Sequence, residues 1–238
     1  LKAKRPQATE DFALGAERFS RMLHATERVD LPLAELKAAG EADLQRNLDA
    51  LAAACANFAP GSTLVDCVHQ AQEDKPQGGP VETAKAQLAE LRNFVQQHNL
   101  VSIPGPEQAD VAEAPPFNRW NFAYIEIPGP YETNLPSVYY ISPPDPSWSP
   151  EVQAAYIPDR ATLTFVSAHE VWPGHFLQFL HSNRADWRFG QVFVGYAFAE
   201  GWAHYAEEMM WDAGLGDGKP AMHIGQLANA LLRDARYL

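Results

Sequence analysis

The sequence predicts a mainly α-helical protein with a small β insertion. Three observations carry this. Apolar residues recur at helical spacing in three stretches before residue 100. Between Ile103 and Pro150 prolines crowd the chain and oppose helix, and two short runs rich in aromatic and β-branched residues stand among them. After residue 150, helix-start signals and apolar periodicity return. The chain therefore divides into a helical part (1–100), a Pro-rich part with short strands (101–150) and a second set of helices (151–238). Its 238 residues suit one domain, 1–238. It begins at Leu1 rather than Met and ends at Arg236-Tyr237-Leu238 inside a helical pattern, so an incomplete domain from a longer protein is expected.

Residues 12–23 carry the first helical pattern. A longer one runs over 33–58, where Leu33, Leu36, Ala39, Leu44, Leu48, Leu51 and Ala52 fall near one stripe. Residues 81–98 repeat it with Leu88, Leu91, Phe94 and Val95, and the intervening 72–80, with Pro76, Gly78, Gly79 and Pro80, reads as a loop. Runs 122–127 and 137–141 read as strands of a small hairpin or meander, separated by Pro128-Gly129-Pro130 and Asn134. Ser149 before Pro150 is an N-cap followed by proline at the first helical position. Asp159 caps the helix that bears His169. Residues 190–211 form another helix, ended near Gly214, and a last one begins at Ile224.

With 46% hydrophobic and 20% charged residues the chain has the composition of a soluble globular protein. A formal net charge of -12 argues against nucleic acid as a partner, because phosphate contacts require a basic face. No apolar run has the length of a membrane span. Cys55 and Cys67 sit where helical patterns fade into loop; one disulfide and two free thiols both stay open, as do a cytoplasmic and an exported location. Oligomeric state is not encoded in any of these features.

The functional signal is concentrated in His169-Glu170-Val171-Trp172-Pro173-Gly174-His175 and in Glu200-Gly201-Trp202-Ala203-His204-Tyr205-Ala206-Glu207. A hydrolytic zinc centre needs three protein ligands, an open position and a carboxylate that takes a proton from water. In the H-E-x-x-H pattern the histidines share a helix face, because four residues rotate by about 400°. Here His169 and His175 are six apart, which separates them by about 120° on a regular helix. Pro173 has no N–H and clashes with the carbonyl four residues back, and Gly174 tolerates unusual backbone angles. The pair is therefore expected to break the helix and swing His175 back toward His169. Glu170 is expected to flank the metal as general base. Glu200, from another helix, is the choice for third ligand; Gly201 beside it is expected to allow close helix packing. Glu200, His204 and Glu207 lie at i, i+4 and i+7 on one face, so His204 or Glu207 can orient a ligand from behind, and His204 stays open as a ligand itself. Tyr139 and Tyr140 are candidate substrate contacts if their strand offers its edge to a peptide, although tyrosines packing a sheet are the commoner case. Trp172, Trp202 and Trp211 read as core, and His24, His69, His98, His181 and His223 as surface or packing residues.

On HEVWPGHFLQ at 169–178 and EGWAHYAEEMMW at 200–211 the chain resembles the bacterial family known as domain of unknown function 885, whose members look like metallopeptidases. Weaker similarity reaches back to Leu14-Gly15-Ala16-Glu17-Arg18-Phe19 and forward to Arg233-Asp234-Ala235-Arg236. The resemblance implies a multi-helix, zincin-like metallopeptidase fold of gluzincin style. It implies one zinc ion, with His169, His175 and Glu200 as ligands and Glu170 as base. It also implies a longer parent protein that supplies more of the cleft, and several relatives appear exported or lipid-anchored. The expected function is a zinc-dependent peptidase, or part of one, acting on a peptide or peptide-like substrate. A metal-dependent amidase or esterase acting on a non-peptide metabolite, and a non-catalytic helical module with a vestigial metal site, are the alternatives.

Overall fold

A computed structural model describes residue 9, residues 12–132 and residues 134–238. Four helices come first: α1 (Gly15–Glu27), α2 (Leu33–Phe58), α3 (Leu64–Ala71) and α4 (Pro80–Gln97). Three strands follow, β1 (Ala109–Glu113), β2 (Ala123–Glu126) and β3 (Ser137–Ile141). The chain then returns to helix with α5 (Pro150–Tyr156), α6 (Arg160–Glu170), α7 (His175–Ser182), α8 (Arg188–Val192), α9 (Tyr196–Asp212) and α10 (Pro220–Tyr237). Among the described residues no helix is long and apolar enough to cross a membrane.

Local chemistry accounts for several boundaries. The Ser149 hydroxyl accepts from the Val152 N–H, and Asp159 accepts from the Thr162 N–H at 2.8 Å, so both expected N-caps form. Pro80 opens α4 at a position where its missing N–H costs nothing. The stretch 190–211 is not one helix. Val192-Phe193-Val194 favours extended backbone, and α8 ends there before α9 begins after Gly195. An additional helix, α3, is capped by Thr63, which accepts from the Asp66 N–H at 3.1 Å. Cys55 and Cys67 therefore lie within α2 and α3 rather than in fading ends, and they form a disulfide with a Cα–Cα separation of 5.8 Å.

The insertion is a three-stranded sheet of order β1-β3-β2, with β1 parallel and β2 antiparallel to β3. The expected hairpin or meander thus gains a strand, and the run 137–141 becomes the centre of the sheet. β1 reads ADVAE, whose Ala, Asp and Glu carry little strand preference, which is why periodicity misses it.

Two apolar clusters hold the chain together. The larger joins α4, the sheet, α6 and α7 around Leu91, Tyr139, Leu163, Trp172 and Phe176. The smaller joins α2, α3 and α10 around Leu51, Cys67 and Leu227. Helix α6 packs against α4, α9 and α10. A Cβ on Gly225 of α10 would lie 2.7 Å from the Cβ of Ala161 in α6, and Arg233 of α10 reaches His169 of α6 at the same sequence offset. The two helices therefore run parallel and close together, and the end of α6 meets the last turns of α10.

Candidate metal centre

The site begins where α6 stops. His169 lies in the last turn of α6, which Glu170 closes, and His175 opens α7, with Val171-Trp172-Pro173-Gly174 between the two helices. The two imidazole rings end 4.8 Å apart between centroids, nearly perpendicular at 89°. Gly174 makes this turn possible through space rather than through a positive φ. A Cβ there would sit 1.7 Å from the carbonyl oxygen of His169, while its N–H donates to the Ala168 carbonyl at 2.9 Å. The Trp202 indole N–H donates to the Pro173 carbonyl at 3.0 Å and ties the broken segment to α9.

Helix α9 brings in Glu200. One carboxylate oxygen lies 3.6 Å from His169 Nε2 and the other 3.7 Å from His175 Nε2. Among the described residues, His169, His175 and Glu200 form a group whose ligand atoms all lie within 4.8 Å of one another. Zinc bonds of about 2.0–2.2 Å in tetrahedral geometry put ligand atoms roughly 3.4 Å apart. The group needs only a small contraction to hold one ion, and its nitrogen and oxygen donors suit zinc. Gly201, beside Glu200, has no atom within 4 Å of where its Cβ would be, so it does not serve close packing. The close approaches are at Gly174 and Gly225 instead.

Behind the histidine stands Glu207, fully buried. Its Oε1 accepts from His169 Nδ1 at 2.8 Å. Arg233 neutralises the same carboxylate, with Nη2 2.8 Å from Oε1 and Nη1 3.3 Å from Oε2. Arg233 Nη2 also lies 3.1 Å from His169 Nδ1, a meeting of two donors that share one acceptor oxygen. Glu207 keeps a proton on Nδ1, so the nitrogen that can be freed for a metal is Nε2, which faces Glu200 and His175.

The charges follow from this packing. Burial opposes charge on His169, but Glu200 and Glu207 outweigh it and raise the ring to about 9. Burial and the neighbouring His169 lower His175 to about 4. Glu200 is held below the usual carboxylate range by its contact with His169. Burial raises Glu170 to about 7. His204 stands half-buried on α9, its Nδ1 without a partner among the described residues, and burial lowers its pKa. It is not one of the three residues that converge.

The group opens into a cleft of about 980 Å³ between β2, α6, α9 and α10, which Glu170 and Arg233 also line. The strand facing it is β2. Phe122 accepts from the Ser142 N–H at 2.7 Å, so in this antiparallel ladder Phe122, Tyr124 and Glu126 turn their backbone groups to β3. Ala123 and Ile125 turn theirs outward. The expectation that the strand bearing Tyr139 and Tyr140 offers an edge is therefore corrected: β3 is paired on both sides. Tyr139 is fully buried, its hydroxyl accepting from Ser167 at 3.4 Å, and burial pushes its pKa up, so it is core. Tyr140 is half-buried with its ring 5.2 Å from that of Tyr124.

Arg233 and the β2 edge are the parts of this site that sequence reasoning did not assign. A signal for Arg233 existed. A glutamate flanked by Ala203, Ala206 and Met210 on an apolar helix face requires a cation, and the last helix carries Arg233 and Arg236.

Over residues 1–238 the chain matches the family described as "Bacterial protein of unknown function (DUF885)", and it belongs to that family. No curated protein matches. Among solved structures it is similar to a protein from Shewanella oneidensis described as a "putative lipoprotein of unknown function", at 22% identity and a TM-score of 0.79, covering 99% of this chain and 46% of that one. It is also similar to a "putative lipoprotein" from Colwellia psychrerythraea, at 17% identity and a TM-score of 0.74, covering 99% of this chain and 42% of that one. The chain thus spans less than half the length of either protein, and at these identities the likeness is one of fold.

Proposed function

We propose that this family member carries the centre of a zinc-dependent peptidase, with His169, His175 and Glu200 as ligands to one zinc ion and Glu170 as general base. The observation that carries the reading is the convergence of two Nε2 atoms and a carboxylate on one point, with Glu207 fixing the tautomer of the first histidine. The order of parts, His-Glu at a helix end and a glutamate from a later helix, is that of a gluzincin. Zinc held there supplies a Lewis acid that polarises a carbonyl and lowers the pKa of water to about 7. Glu170, lifted by burial to about 7 in the metal-free chain, takes a proton from the attacking water and returns it to the leaving amine. The outward backbone groups of Ala123 and Ile125 bind an extended peptide by adding it to β2.

A structural zinc is closed by four protein ligands, whereas three converge here among the described residues, which leaves a position for chemistry. The Cys55–Cys67 disulfide fits an oxidising compartment, and with the lipoprotein descriptions of the two similar proteins it supports an exported location. Residues 1–238 act as one part of a longer catalytic protein. The test is to load the protein with one equivalent of zinc and assay a peptide library beside acylated and amidated small molecules. Peptide cleavage that Glu170→Gln abolishes supports the reading; turnover confined to non-peptide amides or esters replaces it.

A further inference from the structure

One wall of the cleft is a face of α10, formed by Asn229, Leu232, Arg233 and Arg236. These positions follow i, i+3, i+4 and i+7, a single helical stripe. Arg233 is committed to Glu207. Arg236 lies three residues further, about 4.5 Å along the axis. It lines the same cleft, exposed, and makes no ion pair or hydrogen bond among the described residues. Asn229 adds a second observation: its Nδ2 is buried and has no acceptor among the described residues. A buried donor without a partner costs stability unless something else fills it.

The charges lining this cleft are unlike those of the chain. The sequence has 30 acidic and 18 basic residues. The acidic residues that line the cleft are Glu170 and Glu200, already assigned to proton transfer and to the metal, and besides His169, assigned to the metal too, the other charged residues lining it are Arg233 and Arg236. Arginine in a last helical turn also suits the helix dipole, but that effect asks for no group in the cleft. An unpaired guanidinium and an unfilled amide donor about 10.5 Å apart along one stripe suit an anion and a carbonyl oxygen carried by one extended ligand. A peptide with a carboxylate has both.

Resting on the peptidase reading above, we propose that Arg236 binds a carboxylate carried by the substrate, with Asn229 donating to a carbonyl oxygen further along the same peptide. The substrate class is then a peptide whose anionic group lies inside the cleft. Its source is the free C-terminal carboxylate or an acidic side chain near the scissile bond. Arg236 is a specificity-determining residue and takes no part in the proton transfers.

The experiment measures binding by calorimetry to the zinc-loaded Glu170→Gln protein, which keeps peptides intact. Three N-acetylated peptides of one sequence are compared: the free acid, the C-terminal amide, and the amide with glutamate as last residue. The free acid is expected to bind about tenfold more tightly than the plain amide, equivalent to about 1.4 kcal/mol. Arg236→Gln should erase that difference, and Arg236→Lys should keep part of it, since a guanidinium pairs with a carboxylate in a way an ammonium does not. Recovery of affinity by the glutamate amide assigns the site to acidic side chains; lack of recovery assigns it to the chain terminus. Equal affinity of acid and amide, a difference that survives Arg236→Gln, or no binding by any peptide overturns the proposal. Hydrolysis by the unmodified protein is scored separately on the same peptides. Carboxylate-dependent binding without cleavage removes the peptidase reading and spares the subsite. Cleavage at equal affinities for acid and amide does the reverse.

Discussion

Glu207 accepts a 2.8 Å hydrogen bond from Nδ1 of His169, and it does so fully buried inside an apolar helix face. This contact gives a histidine at a helix end a defined orientation toward Glu200 and His175. Glu207→Gln should therefore weaken zinc binding about 10–100-fold, the usual cost of losing a partner behind a ligand. The measurement is a competition titration against a chelator of known affinity. An unchanged zinc affinity in a folded Glu207→Gln protein would separate this carboxylate from the metal centre.

Zinc affinity should also depend on pH with a known sign. In the metal-free chain His169 is raised to about 9, so at neutral pH it holds a proton that must leave before metal binds. His175, lowered to about 4, and Glu200, held below its usual range, have no proton to lose there. Between pH 6 and 8.5 the affinity should rise at least about tenfold per pH unit, with at least the His169 proton released per zinc. Titrations in buffers of different ionisation enthalpy count the proton directly. A flat affinity across that window contradicts the arrangement of carboxylates around His169.

Gly174→Ala tests the turn. The added Cβ would start 1.7 Å from the His169 carbonyl oxygen, which is backbone and cannot step aside. A loss of roughly 2–4 kcal/mol in stability is expected, together with loss of stoichiometric zinc. Chemical denaturation and elemental analysis read the two effects. Retention of both would show that the segment between α6 and α7 turns differently.

The disulfide serves the framework rather than the centre. Cys55 and Cys67 lie in the cluster that seats α10, at a sequence separation of 12. Replacing both by alanine should cost about 2–3 kcal/mol, mostly by freeing the unfolded chain, while zinc stoichiometry stays at one. Unfolding curves with and without reductant give the same comparison on the native sequence.

Much of this was legible in the sequence because local chemistry wrote it. The stripe over 33–58 became α2 with those ends, and Ser149 and Asp159 capped the helices assigned to them. The Pro173-Gly174 break was readable from what the two residues forbid, and so was the bringing together of His169 and His175. What could not be read was set by distant partners. β1 is a strand because β3 accepts it in parallel register, not because ADVAE favours extension. That pairing moved Tyr139 to the core and passed the free edge to β2. Arg233 entered the site because Gly225 lets α10 lie close along α6. Gly201 was misjudged for the same reason, since only the packing tells which glycine stands at a close approach.

The decisive measurement is zinc content by elemental analysis of the unmodified protein and of His169→Ala, purified in parallel and equilibrated with equal zinc. One zinc per chain in the first and nearly none in the second is the expected result. Equal zinc in both would place any bound metal elsewhere and end the case for this centre.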